Sequence, residues 1–295
     1  MLRMKNKKAV FFAILAAALY AMSSPISKLL LQEIPTTLMA GFLYLGAGVG
    51  IFLMGVVQRA TGHAAREAPL TRAELPYTLA MVLLDIAAPI FLMIGLTRTT
   101  AANASLLNNF EIVATSLIAL LVFGEWISRR LWAGIGLVTL ASLVLSFEDV
   151  TSLSFSVGSL LVLLACVCWG FENNCTRKLS RKDPLQIVVI KGFGSGIGSL
   201  LLGLIAGERT QSLPCLAAAL ALGFVAYGLS IFFYIYAQRD LGAAKTSSYY
   251  AVSPFIGALL SLIIFRETPS LTFLIALAIM IAGTYFVSTD SADEP

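Results

Sequence analysis

Apolar and polar positions along the chain alternate in ten long blocks. Each apolar block is close to the roughly 20 residues that an α-helix needs to cross a bilayer, and the connections between blocks are short. The first five blocks cover roughly 9–31, 35–57, 75–96, 100–123 and 130–147. The second five cover roughly 153–176, 185–206, 213–238, 242–265 and 270–288. None shows the period-two alternation of a membrane barrel strand. Backbone N–H and C=O groups in lipid must be satisfied within their own segment, so blocks of this length predict helices. The predicted fold class is all-α, a polytopic membrane protein of ten transmembrane helices. The first block follows Arg3, Lys5, Lys7 and Lys8, as the core of a signal peptide would. Its apolar run is long for that role, and it has a counterpart later in the chain, so it is read as a retained helix.

Charge placement orients these helices. With the N-terminus in the cytoplasm, fifteen of the 20 Lys and Arg residues fall on the inside. Four (Lys28, Arg98, Arg209 and Arg266) fall on the outside, and Lys191 lies within a helix. An excess of basic residues on the cytoplasmic side is the rule for such chains. Both termini are therefore expected in the cytoplasm, which an even number of crossings requires.

Composition agrees with lipid as the solvent. The 295 residues are 58% hydrophobic and 12% charged, against about 25% charged in a soluble domain. The four cysteines (Cys166, Cys168, Cys175 and Cys215) lie in or beside apolar blocks rather than at metal-ligand or disulfide spacing, and read as reduced side chains. The single histidine, His63, lies in a polar loop. That leaves no histidine-based triad or metal motif. No cofactor, no metal, no nucleic-acid partner and no enzymatic activity are expected.

The two halves of the chain resemble each other. Leu19-Tyr20-Ala21 through Lys28 parallels Cys168-Trp169-Gly170 through Arg177, and Gly46–Gly50 parallels Gly192–Gly196. Phe123-Gly124-Glu125 parallels Phe265-Arg266-Glu267. Each half holds five predicted helices, so similar halves must cross in opposite senses. The expected organisation is two inverted five-helix repeats, 9–147 and 153–288. Inverted repeats place a ligand site near the midplane, at their interface. Glycines four apart, as at Gly46/Gly50 and Gly192/Gly196, predict close helix approach.

These features resemble the drug/metabolite transporter superfamily, in particular its EamA-type members with two EamA repeats. The residues that carry the resemblance run from Ala104-Ser105 through Glu111-Ile112 to Phe123-Gly124-Glu125, and from Tyr250 through Ser253-Pro254 to Phe265-Arg266-Glu267. Ile112 stands where the family usually has proline, Arg266 replaces a glycine, and Ser253 occupies the place of Glu111. The resemblance implies ten crossings and transport of amino acids, other metabolites or toxic compounds, often outward.

Ionisable residues deep in a crossing are costly and mark candidate functional sites. Asp85 and Glu111 are each expected near the midplane, with Asn108 about one turn from Glu111. Either carboxyl could bind a cationic group of the substrate or carry a coupling proton, or could bridge helices structurally. Tyr227, Tyr249 and Ser253 add aromatic and hydroxyl groups suited to a partly polar cavity, though each also reads as packing. Glu172 and Lys191 lie at similar depth near the cytoplasmic side, which allows a gating or structural ion pair, with Asn173 and Asn174 in the same polar patch; Lys191 could instead snorkel to the interface. Trp169, Tyr234 and Tyr236 read as interface anchors. Glu125 and Glu267 read as groups that fix the turns after the fourth and ninth helices.

The whole reads as a secondary transporter of small metabolites, such as amino acids or amphipathic drugs. It would reside in the cell membrane as a multi-pass protein and work as an exporter by alternating access, with H+ as the first candidate for a coupling ion. A solute or ion channel is the second reading. Its partners are the substrate and the lipid bilayer.

Overall fold

The computed structural model describes residues 2–62, 67–124, 126–149, 154–241, 246 and 249–289. His63 and Glu125 lie outside the described residues, so the expectations attached to them have no structural counterpart here.

The first crossing is made by α1 (Leu2–Ala21) and α2 (Ser23–Leu30), and the second by α3 (Thr36–Ala60). A short 3-10 turn, Arg72–Glu74, leads into α4 (Leu75–Arg98). The fourth crossing is split into α5 (Ala101–Leu107) and α6 (Phe110–Phe123), and the fifth is α7 (Arg129–Ser146). Two short antiparallel strands, β1 (Phe147–Asp149) and β2 (Ser154–Phe155), clip the connection between halves. The second half continues with α8 (Val157–Leu179) and α9 (Pro184–Ile205). Its eighth crossing runs through α10 (Leu213–Leu222), a π-helical segment (Gly223–Leu229) and α11 (Ser230–Leu241). The last two are α12 (Ser253–Phe265) and α13 (Leu271–Ser288).

Among the described residues, nine crossings are long and apolar enough to span a bilayer. The tenth, α12, is shorter, because a turn at Ala251–Val252 precedes it within the predicted block 242–265. The exterior is apolar, with Leu83, Leu121, Ile205, Ile263 and Leu274 all exposed. In water this would be a severe liability. In lipid it is the expected surface, and the chain is a multi-pass membrane protein.

Local sequence sets the helix ends. The side chains of Thr100, Ser128, Ser156, Asp183 and Ser270 each accept a hydrogen bond from a backbone N–H in the first turn of the helix they precede, which satisfies an otherwise orphaned donor. At the other end, Gly124 (φ 69°) closes α6 and Arg266 (φ 53°) closes α12, both in the left-handed conformation. Glycine adopts that conformation without a Cβ penalty, whereas other L-residues are strained there by roughly 1–2 kcal/mol. Arg266→Gly is therefore expected to stabilise the protein by about 1 kcal/mol. Thermal unfolding in detergent micelles measures this, and an unchanged or lowered midpoint would contradict it.

Crossing pairs pack in a pattern that survives exchange of the halves. The second packs on the seventh (α3 on α9), the fifth on the tenth (α7 on α13), and the fourth on the ninth (α5 on α12). The third packs on the sixth (α4 on α8), matched by the eighth on the first (α11 on α1). The α3–α9 contact is backbone against backbone. A Cβ placed on Gly192 would lie 2.3 Å from the Gly48 nitrogen, and one on Gly196 would lie 2.7 Å from the Leu45 nitrogen. Small residues permit this approach in lipid, where dispersion and not water exclusion holds helices together. At the start of α3, the Glu208 carboxylate accepts from the backbone N–H groups of Thr37 (3.3 Å) and Leu38 (2.9 Å), capping the helix from the opposite half. Lys28 donates to the carbonyls of Leu96 and Thr99 at the end of α4.

Candidate functional site

Four crossings lose α-helical continuity in the middle of their run. Pro25 lacks an N–H and its ring cannot sit beneath a continuous turn, and the first crossing breaks at Met22. The fourth breaks at Asn108–Asn109, where N–H groups shift to carbonyls three residues back: Asn109 to Leu106, Glu111 to Asn108 and Ile112 to Asn109. The displaced Leu107 carbonyl accepts from the Cys166 thiol at 3.6 Å. The eighth carries the π segment, and the ninth turns at Ala251–Val252 before Ser253-Pro254. Ser253 lies in the first turn of α12 as Glu111 lies in the first turn of α6, and the left-handed caps follow at the same offset of 142. Irregular backbone at membrane depth is tolerated where protein or a polar cavity surrounds it.

Around these breaks lie two connected groups of polar side chains. The first is an ion cluster. Lys191 Nζ on α9 lies 2.9 Å from Glu172 Oε1 on α8 and 3.2 Å from Asp85 Oδ2 on α4. All three are buried. The Asp85 contact is one of charge, since Oδ2 has no aligned hydrogen-bond partner. Asp85 Oδ1 accepts from the Tyr44 hydroxyl on α3 at 2.8 Å, and Trp169 Nε1 donates to Tyr44 at 3.5 Å. Glu172 also accepts from Thr176, one turn on. Counting about 1.5 Å per residue, Glu172 and Lys191 lie about 10 Å from the Leu179 and Pro184 ends of their helices, and Asp85 about 15 Å from the Leu75 end of α4.

The second group is aromatic. The Tyr227 ring, on the π segment, lies 5.2 Å from Tyr44 and 5.7 Å from Tyr20. Tyr20 in turn lies 5.8 Å from Tyr250, which is 5.0 Å from Tyr234. The Tyr227 hydroxyl accepts from Ser23, immediately after the break in the first crossing, at 3.0 Å. Glu111 stands beside this group. It accepts from Asn173 Nδ2 at 2.6 Å and lies within electrostatic reach of Tyr20, Tyr227 and Tyr250, as well as of Glu172 and Lys191. Asn108, at the break, accepts weakly from Cys166 at 3.9 Å. Ser253 Oγ is buried without a hydrogen-bond partner, as is Ser105 Oγ, which lies against Gly257 on α12.

Several sequence expectations meet here and others are corrected. Glu172 and Lys191 are in contact, and Asp85 joins them instead of standing apart. Tyr249 is 38% exposed and faces away from the cluster, whose ninth-crossing member is Tyr250. Trp169 is not an interface anchor. It is 5% exposed and bonded to Tyr44. Tyr234, partly buried, meets Tyr250 edge to face. Asn174 donates to the Thr115 and Gly170 carbonyls, tying α8 to α6, and only Asn173 touches Glu111. At the end of α12 the backbone N–H of Glu267 donates to the Leu262 carbonyl, a bond that does not involve its carboxylate. Tyr20 and Tyr44 were not singled out from the sequence as site residues. The available signal was their position about one turn from Ser23/Ser24 and beside the Gly46 cluster. Among the described residues, no group of three or more His, Cys, Asp or Glu could hold a metal ion.

Nine long apolar crossings and a shorter tenth among the described residues, with broken helices and buried charge, define a polytopic helical membrane protein. The family comparison agrees in detail. The EamA-like transporter family matches residues 7–147 and again 156–289, and the chain belongs to that family. An "Uncharacterized transporter" of Methanothermobacter thermautotrophicus is 28% identical over 290 residues, covering 93% of this chain and 84% of that protein. The "Uncharacterized inner membrane transporter YedA" of Escherichia coli K12 is 25% identical over 57% of this chain and 55% of its own length. A solved crystal structure of a protein superposes with a TM-score of 0.69 over 95% of both chains, at 17% identity, and shares the fold.

Proposed function

We propose that the chain is a secondary carrier that exports small metabolites, such as amino acids or amphipathic amine-bearing compounds, across the cytoplasmic membrane. In this reading the two matched segments are inverted five-helix repeats with both termini in the cytoplasm. The substrate binds between them, at the breaks in the first, fourth, eighth and ninth crossings. The observation that supports it most is that those four breaks gather Tyr20, Tyr44, Tyr227, Tyr250, Asn108 and Glu111 around one interface. Discontinuous helices at the midplane recur as substrate sites in carriers built from inverted repeats. Glu111 offers a carboxylate to an ammonium group, and tyrosine faces attract cations and apolar bodies alike. The symmetric packing of crossing pairs fits rocking of one repeat against the other about this site.

Inside-out vesicles carrying the protein, offered labelled amino acids with and without a proton gradient, test the reading. Saturable, gradient-dependent accumulation with counterflow is expected. Linear, non-saturating flux would favour the channel reading instead. Equal uptake by control vesicles across amino acids and amphipathic amines would remove both substrate classes.

A further inference from the structure

The ion cluster holds two carboxylates against one ammonium. Asp85 and Glu172 both contact Lys191, at 3.2 and 2.9 Å, and all three are buried within crossing helices. Fully ionised, the cluster carries one uncompensated negative charge, and Glu111 adds another within electrostatic reach. A buried charge without a partner is costly in protein and in lipid. One bound proton makes the cluster neutral.

We propose that Asp85, Lys191 and Glu172 form the proton-binding site of the carrier, with one exchangeable proton shared by the two carboxylates, while Glu111 is left to the substrate. This rests on the carrier reading above and divides the labour within it. In the loading step, hydronium transfers a proton to a carboxylate oxygen, an O–H bond forms, water is released, and the cluster passes from −1 to neutral.

The surroundings support this assignment. The groups facing Asp85 are Lys191 from α9, Glu172 and Cys175 from α8, Tyr44 from α3, and Tyr227 from the π segment. Lys28, on α2, bonds only the far outer end of α4, and α5 carries no titratable side chain. Lys191 is thus the one cation among the described side chains that face the cluster, and no second base balances the carboxylates. The cluster is also wired to the aromatic group. Tyr44 donates to Asp85 Oδ1 and packs 5.2 Å from Tyr227, whose hydroxyl is held by Ser23 at a helix break. A proton gained at Asp85 weakens the acceptor that holds Tyr44, so the charge state reaches the substrate-facing rings through one side chain.

Infrared difference spectroscopy of the purified protein in lipid, between mildly acidic and mildly alkaline pH, reads protonated carboxyl groups without any substrate. The wild type is expected to lose a carboxylic-acid C=O band as pH rises. Asp85→Asn and Glu172→Gln each leave a neutral pair with Lys191, so each should lose that band. Lys191→Met removes the only counter-charge, so it should roughly double the band and hold it to higher pH. Glu111→Gln should keep the cluster's band. Circular dichroism and size-exclusion profiles confirm that each variant is folded, and should Asp85→Asn not fold, Glu172→Gln and Lys191→Met still carry opposite signs. The proposal is overturned if the wild type shows no pH-dependent carboxyl band. It is equally overturned if the band survives in Asp85→Asn and Glu172→Gln but vanishes in Glu111→Gln. The band pattern without vesicle uptake of either substrate class would leave the proton site standing and remove the substrates named in the carrier reading. Proton-driven uptake without the pattern would do the reverse.

Discussion

Gly192→Val is expected to leave almost no folded protein in the membrane. A Cβ at this position meets the Gly48 nitrogen at 2.3 Å, the Gly48 Cα at 2.4 Å and the Tyr44 carbonyl at 2.8 Å. All three are backbone atoms, so no side chain can rotate away. Either α3 and α9 separate or one of them bends. Separation would open an extensive contact between the two matched segments and also displace Tyr44 and Lys191, which flank the crossing point. Overpacking a well-filled core costs about 1–3 kcal/mol when side chains can yield. Here the obstacle is backbone on both sides, and more than about 3 kcal/mol is expected, a large part of the 5–15 kcal/mol that stabilises an ordinary domain. The measurement is the yield of monodisperse protein after detergent extraction. Gly136→Val provides the control, because a Cβ on Gly136 meets nothing within 4 Å. A normal yield for Gly192→Val would show that the helices do not cross here.

Glu111→Gln is expected to reduce transport of amine-bearing substrates by about ten- to a hundredfold while leaving the fold intact. The side chains have the same shape, and the amide oxygen of glutamine can still accept from Asn173, which now bonds Glu111 at 2.6 Å. What disappears is the negative charge. A hydrogen bond to a charged group contributes about 1.5–3 kcal/mol, which sets the size of the loss at about 1.4 kcal/mol per factor of ten. Saturable uptake into vesicles reads the change, and the thermal midpoint checks the fold. Unchanged uptake, with substrate selectivity also unchanged, would place Glu111 among the helix-bridging carboxyls. The same assay separates it from Asp85, whose removal should alter the pH dependence of transport before it alters selectivity.

The overall fold was largely legible from the sequence because lipid leaves few choices. A block of about 20 apolar residues in a bilayer must be a helix, since no water can satisfy its backbone. That alone located nine long crossings to within a few residues, and glycines four apart marked where helices touch. The Phe123-Gly124 and Phe265-Arg266 pair foretold two equivalent helix ends, and both adopt the left-handed turn even though arginine pays for it in strain.

The candidate site was legible only in its ingredients. Asp85, Glu111, Glu172 and Lys191 stand out in any apolar sequence, because a charge there has no other excuse. Their grouping did not stand out. Tyr249 and Tyr250 are neighbours in sequence, but successive helical residues are rotated by about 100°, so one faces lipid and the other the ring cluster. Depth misled at Trp169, where closeness to the cytoplasmic side suggested an anchor while helix rotation turned the ring inward.

The sequence by itself determined the solvent, the number of crossings, the twofold repetition and the identity of the buried charges, all of which depend on composition and local periodicity. Only the tertiary structure decided that one lysine serves two carboxylates from different helices, and that the fourth crossing breaks at Asn108–Asn109. It alone placed a π turn to carry Tyr227 against Tyr44. Those facts depend on which face each helix turns to partners on other helices, and that is settled by close packing between segments rather than by any segment alone.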